Sequence, residues 1–501
     1  MTRSTTPPKP ATRPRRLLRG LAVVAFWLAL WEVAARLVGQ EVLLVTPERA
    51  AVTLVGLLPT ASFWATAGYS LARIAGGFLL AVAAGTALAW LASLHPWVHA
   101  LLSPAVRAMR SVPVVSFIIL VLIWAGSSTL TVTISALMVF PVVYANVDRG
   151  IAARDRGLAE MAQVFGFSRS RRWWAVTLPG VYPYLLAAAE AGLGLCWKAG
   201  VSAEVIGLPS GSIGERLYEA KLFLSTADLF AWTAVIVALS FGLEKVTLWA
   251  LRRGQAALGH VGEKNTRHPG DPRHPGDPCH PGESRDLSSG GRPPLVKDPG
   301  FRRDDNGGDD GADDNGGRDS ASLVFDHVTF AYPGADAPVV DDVTLTVAPG
   351  ELRRIAGPNG SGKTTLLNLA LGLLRPDAGT ISRPDRVAAV FQEDRLLDHL
   401  TPVANVRLAQ RGPVPDAAIA AAFRAIGLPE AEWAKPAAEL SGGQRRRVAI
   451  VRALLAPAGL VTLDEPFTGI DQESLPMVEA YLRQRVAGRA ALLVTHQPLT
   501  A

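Results

Sequence analysis

Cysteine is almost missing from this sequence. Cys196 and Cys279 are the two among 501 residues, one in an apolar run and one in a Pro/Gly-rich stretch, so no disulfide framework is expected. Charge is also sparse, with Asp, Glu, Lys and Arg together making 19%. The net charge of +6 comes with no arginine cluster interleaved with exposed aromatics, so nucleic acid is not an expected partner. The first apolar run lacks a small-x-small cleavage site, which favours a retained helix over a signal peptide. What is plentiful is apolar. Hydrophobic residues make 49% of the chain, and twelve Trp stand against five Met and seven Tyr. That composition points to a membrane domain beside a soluble one, within the two to four domains the length allows.

Residues 1–18 are Pro- and Arg-rich and read as a disordered basic N-terminus. A transmembrane domain is expected over 19–255, with apolar spans at 21–38, 74–94, 112–125, 129–147, 181–200 and 229–251. The third is short for a span unless its flanks join it. With the N-terminus inside, the inner segments carry Arg13, Arg15, Arg16, Arg19, Arg107, Arg110, Arg149, Arg154, Arg156, Arg169, Arg171, Arg172, Arg252 and Arg253. The outer loops carry Arg49, Arg216 and Lys221. This bias places both ends in the cytoplasm. Glu190, Lys198 and Glu204, in or just past the 181–200 span, read as intramembrane, where ionisable groups either line a pathway or pair and snorkel; none of them identifies a substrate.

The stretch Gly357-Pro358-Asn359-Gly360-Ser361-Gly362-Lys363-Thr364-Thr365 fits the phosphate-binding pattern G-x-x-x-x-G-K-[ST], with a short strand before it and an amphipathic helix after it. Glycines let the backbone wrap a phosphate, and the helix N-terminus adds a favourable dipole. Lys363 can reach the β- and γ-phosphates of ATP, and the Thr364 hydroxyl can hold Mg²⁺. Downstream, the apolar strand 460–463 ends in Asp464-Glu465. Asp464 suits Mg²⁺, and Glu465 suits a general base that polarises water. Between these stretches lies Leu440-Ser441-Gly442-Gly443-Gln444, opening an arginine-rich helix.

On these residues the chain resembles the ATPase domain of ATP-binding cassette (ABC) transporters, whose signature motif it matches letter for letter. The resemblance covers residues 321–501 and implies that Ser441, Gly442, Gly443 and Gln444 cap a γ-phosphate bound to a second subunit. It further implies a Mg²⁺- and water-sensing role for Gln392 and a γ-phosphate contact for His496. Asp471 falls in the loop after the base, where Thr468-Gly469-Ile470 is a looser match. Tyr332, 25 residues before Gly357, falls where an aromatic stacks on adenine, or else is a strand tyrosine at a turn.

A second motif sits in the segment between spans four and five. Glu160-Met161-Ala162, Gly166 and Val176-Thr177-Leu178-Pro179 match the pattern E-A-A-x3-G-x9-I-x-L-P, with Met161 and Val176 as departures. It resembles the cytoplasmic coupling loop of binding-protein-dependent ABC importer permeases, which implies that Glu160, Ala162, Gly166 and Pro179 belong to such a loop: a short helix that can dock in a cleft of an ATPase, a turn at Gly166, and a basic second segment before Pro179. Tyr69 to Arg73, Trp197 to Gly214, Val390 to Leu397 and Leu463 to Phe467 are similar to the nitrate/sulfonate/taurine group. His399 departs from it, standing where that group carries tryptophan.

Residues 256–320 change in material. Arg267-His268-Pro269-Gly270-Asp271-Pro272 repeats at 273–278 and degenerates at 279–284, and Asp, Gly and Arg tracts follow. Such composition cannot build a core, and its His/Cys spacing matches no zinc pattern. It reads as a linker joining two ordinarily separate subunits.

The expected fold class is therefore multi-domain: an all-α transmembrane permease of about six helices, then an α/β P-loop NTPase of ABC type. The expected function is ATP-driven import of a small solute (sulfonate, taurine or nitrate-like, or a thiamine precursor) across the cytoplasmic membrane, as a homodimer with an extracytoplasmic binding protein. Rival readings are an ABC exporter, which the Glu160–Pro179 motif opposes, and a soluble repair ATPase, which the apolar spans oppose. A degraded fusion is a third. Arg353-Arg354 in the phosphate-loop strand and Gln497 depart from the family, and the chain stops at Ala501, short of the closing strands and helices of such domains.

Overall fold

The computed structural model describes residues 13–264, 322–410 and 412–496. The chain divides into two compact units, one made of residues up to Arg154 with Thr177–Ala257, the other of Asp155–Val176 with residues from Leu258 onward.

The first unit is all helical. Its elements are α1 (Arg13–Val38), α2 (Pro47–Leu57), α3 (Ala61–Leu94), α4 (Pro96–Ser111) and α5 (Val114–Ala152). After an excursion into the other unit through α6 (Arg156–Val164), α7 (Arg169–Arg172) and a π-helical turn at Trp173–Thr177, they resume with α8 (Leu178–Gly207), α9 (Ile213–Leu222) and α10 (Thr226–Lys264). Among the described residues, α3, α5 and the Thr226–Gln255 part of α10 are long and apolar enough to cross a membrane. Small residues let α3, α5 and α8 approach closely. A Cβ on Gly77 would lie 2.6 Å from Ser135 Cβ, and one on Gly200 2.6 Å from Ile74 Cγ1. Around these contacts Ile74, Phe78, Val139, Val143, Leu193 and Trp197 form the core.

Three sequence expectations shift here. α1 already begins at Arg13, so 13–18 is helical instead of disordered. Pro14 sits in the first turn, where its missing N–H costs nothing, and arginines propagate the helix well. α10 continues to Lys264, shortening the linker expected from 256; the rest of that linker, residues 1–12 and Gln497 lie outside the described residues. The third and fourth spans are two arms of α5, broken at Gly126 (φ 69, ψ 179), a backbone conformation essentially confined to glycine. Of the ionisable trio, Glu204 is fully buried and accepts a 2.7 Å bond from the Ser70 hydroxyl, whose oxygen accepts from the Ile213 N–H. Glu190 pairs with Arg252 at 3.1 Å, and Lys198 is exposed. The other carboxylate oxygen of Glu204, Oε1, is buried with no hydrogen-bond partner among the described residues.

In the second unit β1 (Leu323–Phe330), β2 (Val340–Val347) and β4 (Ala378–Ser382) form an antiparallel sheet in the order β2-β1-β4. A parallel sheet runs β3-β7-β6-β5, from β3 (Leu352–Ile355), β5 (Val387–Val390), β6 (Leu460–Asp464) and β7 (Ala490–Val494). Both central strands are buried along their whole length, as parallel strands covered on both faces should be. The helices are α11 (Lys363–Leu371), α12 (Pro402–Leu408), α13 (Asp416–Ala425), α14 (Gly442–Leu455) and α15 (Leu475–Val486). Charged Arg353 and Arg354 are tolerated because β3 is an edge strand whose middle residues are exposed. Arg353 pairs with Glu351 at 2.8 Å, and Arg354 donates to the Thr495 carbonyl.

Candidate nucleotide site and the docked loop

The phosphate loop leaves β3 and enters α11 through two glycines in the left-handed region, Gly360 and Gly362, each with φ 82. A Cβ at Gly362 would lie 2.7 Å from the Val339 carbonyl oxygen, and one at Gly357 2.7 Å from Ser361 Oγ. At Gly357 and Gly362 a side chain would collide with these neighbours, so the loop approaches as bare backbone there. Lys363 Nζ lies across it, donating at 2.8 Å to both the Gly357 and Pro358 carbonyls. One residue on, the Thr364 hydroxyl donates to Asp464 Oδ2 at 3.0 Å, which joins the first turn of α11 to the end of β6. Pro358, Asn359 and Ser361 complete the cradle, the Ser361 N–H donating to the Pro358 carbonyl.

A cleft of about 490 Å³ opens beside this pair, lined among others by Thr364, Gln392, Asp464 and Thr468. Burial pushes the Asp464 carboxyl above the usual range, the Glu465 charge adding to the shift and the Thr364 bond opposing it. Glu465 is held left-handed (φ 46), while its N–H donates to the Val494 carbonyl. Among the described residues its buried Oε1 has no hydrogen-bond partner, and it lies 3.6 Å from His496 Nε2. The His496 N–H reaches Glu465 Oε2 at 3.4 Å. A strained, under-bonded carboxylate next to an exposed imidazole fits a group waiting for water and phosphate.

Tyr332 packs edge-on against Phe330 with ring centroids 5.0 Å apart, and its hydroxyl lies 3.2 Å from Thr365 Oγ1. The residue is 43% exposed. Ser441 caps α14: its hydroxyl accepts from the Gln444 N–H while the Gln444 side chain accepts from the Ser441 N–H. Gly443 allows close approach to the Gly469 carbonyl oxygen, 2.7 Å from where a Cβ would stand. Asp471 is not in the cleft; its Oδ1 accepts from the Ser474 N–H at the turn into α15.

The loop Asp155–Val176 is built into the same unit. Asp155 caps α6 through the Gly157 and Leu158 N–H groups. Gly166, at φ 63, ends that helix in a left-handed turn in which the Phe167 N–H returns to the Ala162 carbonyl. Met161, Ala162, Val164, Phe165, Phe167 and Ala175 are buried with Ala389, Val390, Leu396 and Leu397 in one cluster. Glu160 Oε2 accepts from Arg395 Nη1 at 2.8 Å, and Arg171 donates to the Leu408 and Gln410 carbonyls. Pro179 stands in the first turn of α8, in the first unit.

Residues 340–468 match the family model described as ABC transporter, and residues 77–249 match the one for the binding-protein-dependent transport system inner membrane component. The taurine import ATP-binding protein TauB of Chromobacterium violaceum is 40% identical over 192 residues, covering 35% of this chain and 73% of that protein. The chain belongs to the ABC transporter family. It joins a permease domain to an ATPase domain. The aliphatic sulfonates import ATP-binding protein SsuB 3 of Paraburkholderia xenovorans is 40% identical over 162 residues, 32% of this chain and 64% of its own. The ATP-dependent lipid A-core flippase of Burkholderia thailandensis is 38% identical over 205 residues. The chain spans 34% of that flippase and 36% of its own length is matched. A solved ATP-binding subunit of an ABC transporter is 28% identical over 35% of this chain and 80% of its own, with a TM-score of 0.33.

Within this ABC transporter, motif reading missed three arginines and an asparagine. Arg446, Arg452 and Arg395 all act on main-chain carbonyls or side chains of the Gln392 loop. Buried Arg452 donates to the Arg395 and Asp394 carbonyls and lies over the Phe165 ring at 5.2 Å. Burial pushes its pKa down to about 9, so it stays cationic at neutral pH. Asn405 donates to the Leu397, Leu400 and Thr401 carbonyls and accepts from the Leu397 N–H. His399 is lowered by burial, with Nε2 unpartnered among the described residues. A hydrogen-bonding loop with charged anchors was legible only as the motif around Gln392.

Proposed function

We propose that this chain is a half-transporter that couples ATP hydrolysis to import of a small sulfonate-, taurine- or nitrate-like solute. In this reading it works as a homodimer in the cytoplasmic membrane and receives solute from an extracytoplasmic binding protein. The observation that carries the reading is the loop Asp155–Val176. A segment of the permease half supplies Met161, Ala162, Phe165 and Phe167 to the core of the ATPase unit, and it belongs to the region matching the binding-protein-dependent transport model. The names of the taurine and sulfonate import relatives support the solute class.

The site fits a Mg²⁺-bound nucleotide. The backbone cradle suits a polyphosphate, and the exposed Thr364 hydroxyl and the buried Asp464 carboxylate together suit a hard cation. Mg²⁺, when bound, neutralises phosphate charge and polarises the phosphoryl group. Lys363 donates to the β- and γ-oxygens, Tyr332 stacks on adenine, and Gln392 senses the metal and the water. Glu465 accepts the proton of the attacking water, and His496 holds the γ-phosphate side in register. Ser441, Gly442, Gly443 and Gln444 present a capped helix N-terminus to the nucleotide of a second copy.

The test is reconstitution of the full chain in proteoliposomes with purified candidate binding proteins. ATP hydrolysis stimulated by the liganded binding protein, with labelled taurine or sulfonate accumulating on the binding-protein side's opposite face, is the expected result. Transport toward the binding-protein side without any binding protein would replace this reading with the exporter one.

A further inference from the structure

Arg446 stands in the second turn of α14 and is 3% exposed. All three guanidinium nitrogens donate. Nε donates to the Pro466 carbonyl at 3.2 Å, and Nη2 to the Asp464 and Glu465 carbonyls at 2.7 and 2.5 Å. Nη1 donates to the Phe391 and Gln392 carbonyls at 2.6 and 3.3 Å and to Asp394 Oδ1 at 3.2 Å. The acceptors therefore fall into two groups. One is the strand end that carries Asp464 and Glu465; the other is the loop that carries Gln392.

From this geometry we infer that Arg446 is a positioning residue that fixes the separation between Gln392 and Glu465, so that neither can move without the other. The inference rests on the proposed roles of those two residues. A guanidinium is a planar fork with fixed N–H directions, and it grips the peptide units from which both side chains hang. A buried cation whose acceptors were scattered through one element would only stabilise that element. Here the acceptors bridge the two halves of the site, and the bridge continues outward. Asp394 and Arg395 offer their carbonyls to Arg452, and the Arg395 side chain lies 4.0 Å over the Phe391 ring while bonding Glu160. Displacement of the docked loop thus reaches the peptide of Glu465 through two guanidinium groups, with no side chain of the phosphate cradle involved.

The experiment uses the full chain in lipid nanodiscs and compares wild type with Arg446→Leu, Gln392→Ala and the double variant. Affinity for a fluorescent ATP analogue should stay near wild type, because the cradle and Lys363 lie elsewhere. Turnover should fall on the order of 100-fold, the scale of a small misplacement of catalytic groups. The double variant should be no slower than the slower single one, because both losses act through one geometry. Arg446→Gln, whose amide can still bridge two carbonyls, should recover part of the rate. Near-wild-type turnover with only a lowered Tm would overturn the inference, as would losses that multiply in the double variant. Where Arg446→Leu does not fold, Arg446→Lys carries the same comparison. Hydrogen exchange gives a readout independent of hydrolysis: nucleotide should protect the amides of 391–394 and 464–465 together in wild type and separately in Arg446→Lys. Wild-type protein lacking hydrolysis would defeat the transport reading, and uncorrelated protection in wild type would defeat this one.

Discussion

At the scale of single residues, the two acidic neighbours at the end of β6 carry opposite costs. Glu465→Gln removes the base while leaving the cradle, Lys363 and Thr364 in place. It should bind ATP and turn over about 100- to 10,000-fold more slowly, measured as steady-state phosphate release alongside nucleotide affinity. Asp464 has a folded-state pKa raised by burial, so the folded chain holds its proton more tightly than the unfolded chain. Stability then declines as pH rises from the ordinary carboxylate range through the raised value. Asp464→Asn should lift that burden: its thermal midpoint at neutral pH should exceed wild type without metal, and the difference should shrink on acidification. The same variant should lose the stabilisation that Mg²⁺-ATP gives wild type. An unchanged or lower midpoint at neutral pH would contradict the argument.

At the scale of elements, the docked loop joins two features of unequal strength. The Arg395–Glu160 pair is partly exposed on both sides, with side-chain exposures of 19% and 41%, so a double-mutant cycle should find only about 0.2–1 kcal/mol of coupling. Gly166 matters more. A β-branched residue in its left-handed conformation costs roughly 1–2 kcal/mol or more, and the Phe167 N–H depends on that turn to meet the Ala162 carbonyl. Gly166→Val should therefore retain ATP affinity while losing binding-protein-stimulated hydrolysis and uptake in vesicles. Retained stimulation would remove the loop from the coupling role.

Those two cases also show what could be read in advance. The cradle, Asp464, Glu465, Gln392, His496 and the Gly166 turn were legible, because phosphate chemistry and a left-handed turn each demand particular residues at contiguous positions. Arg446, Arg452 and Asn405 were not, since their partners are carbonyl oxygens, which every residue carries and no letter announces. The interruption at Gly126 was read as a gap between two spans, whereas the structure makes it a break within α5, because one glycine in an apolar run reads equally as a loop or as a kink. Asp471 stands in the loop after Glu465, as read, where its Oδ1 accepts from the Ser474 N–H.

At the scale of the whole chain, the Pro/Gly/Asp-rich composition of 265–320 predicts tethering with little packing. Replacing residues 267–318 by a Gly/Ser chain of equal length should leave expression, membrane insertion and ATPase activity near wild type. Loss of coupled transport at normal expression would show that this stretch does more than connect.

The insertion of Asp155–Val176 into the second unit has a practical consequence for anyone dissecting the molecule. An ATPase fragment begun at residue 322 would leave behind Met161, Phe165 and Phe167, each fully buried or nearly so and each contributing on the order of 1.5–3 kcal/mol through burial. Leu396, Leu397 and their neighbours would then face water as a sticky trough. Such a fragment should be poorly soluble, or should self-associate through that trough, and a synthetic peptide copying residues 155–176 added during refolding should restore a monodisperse species.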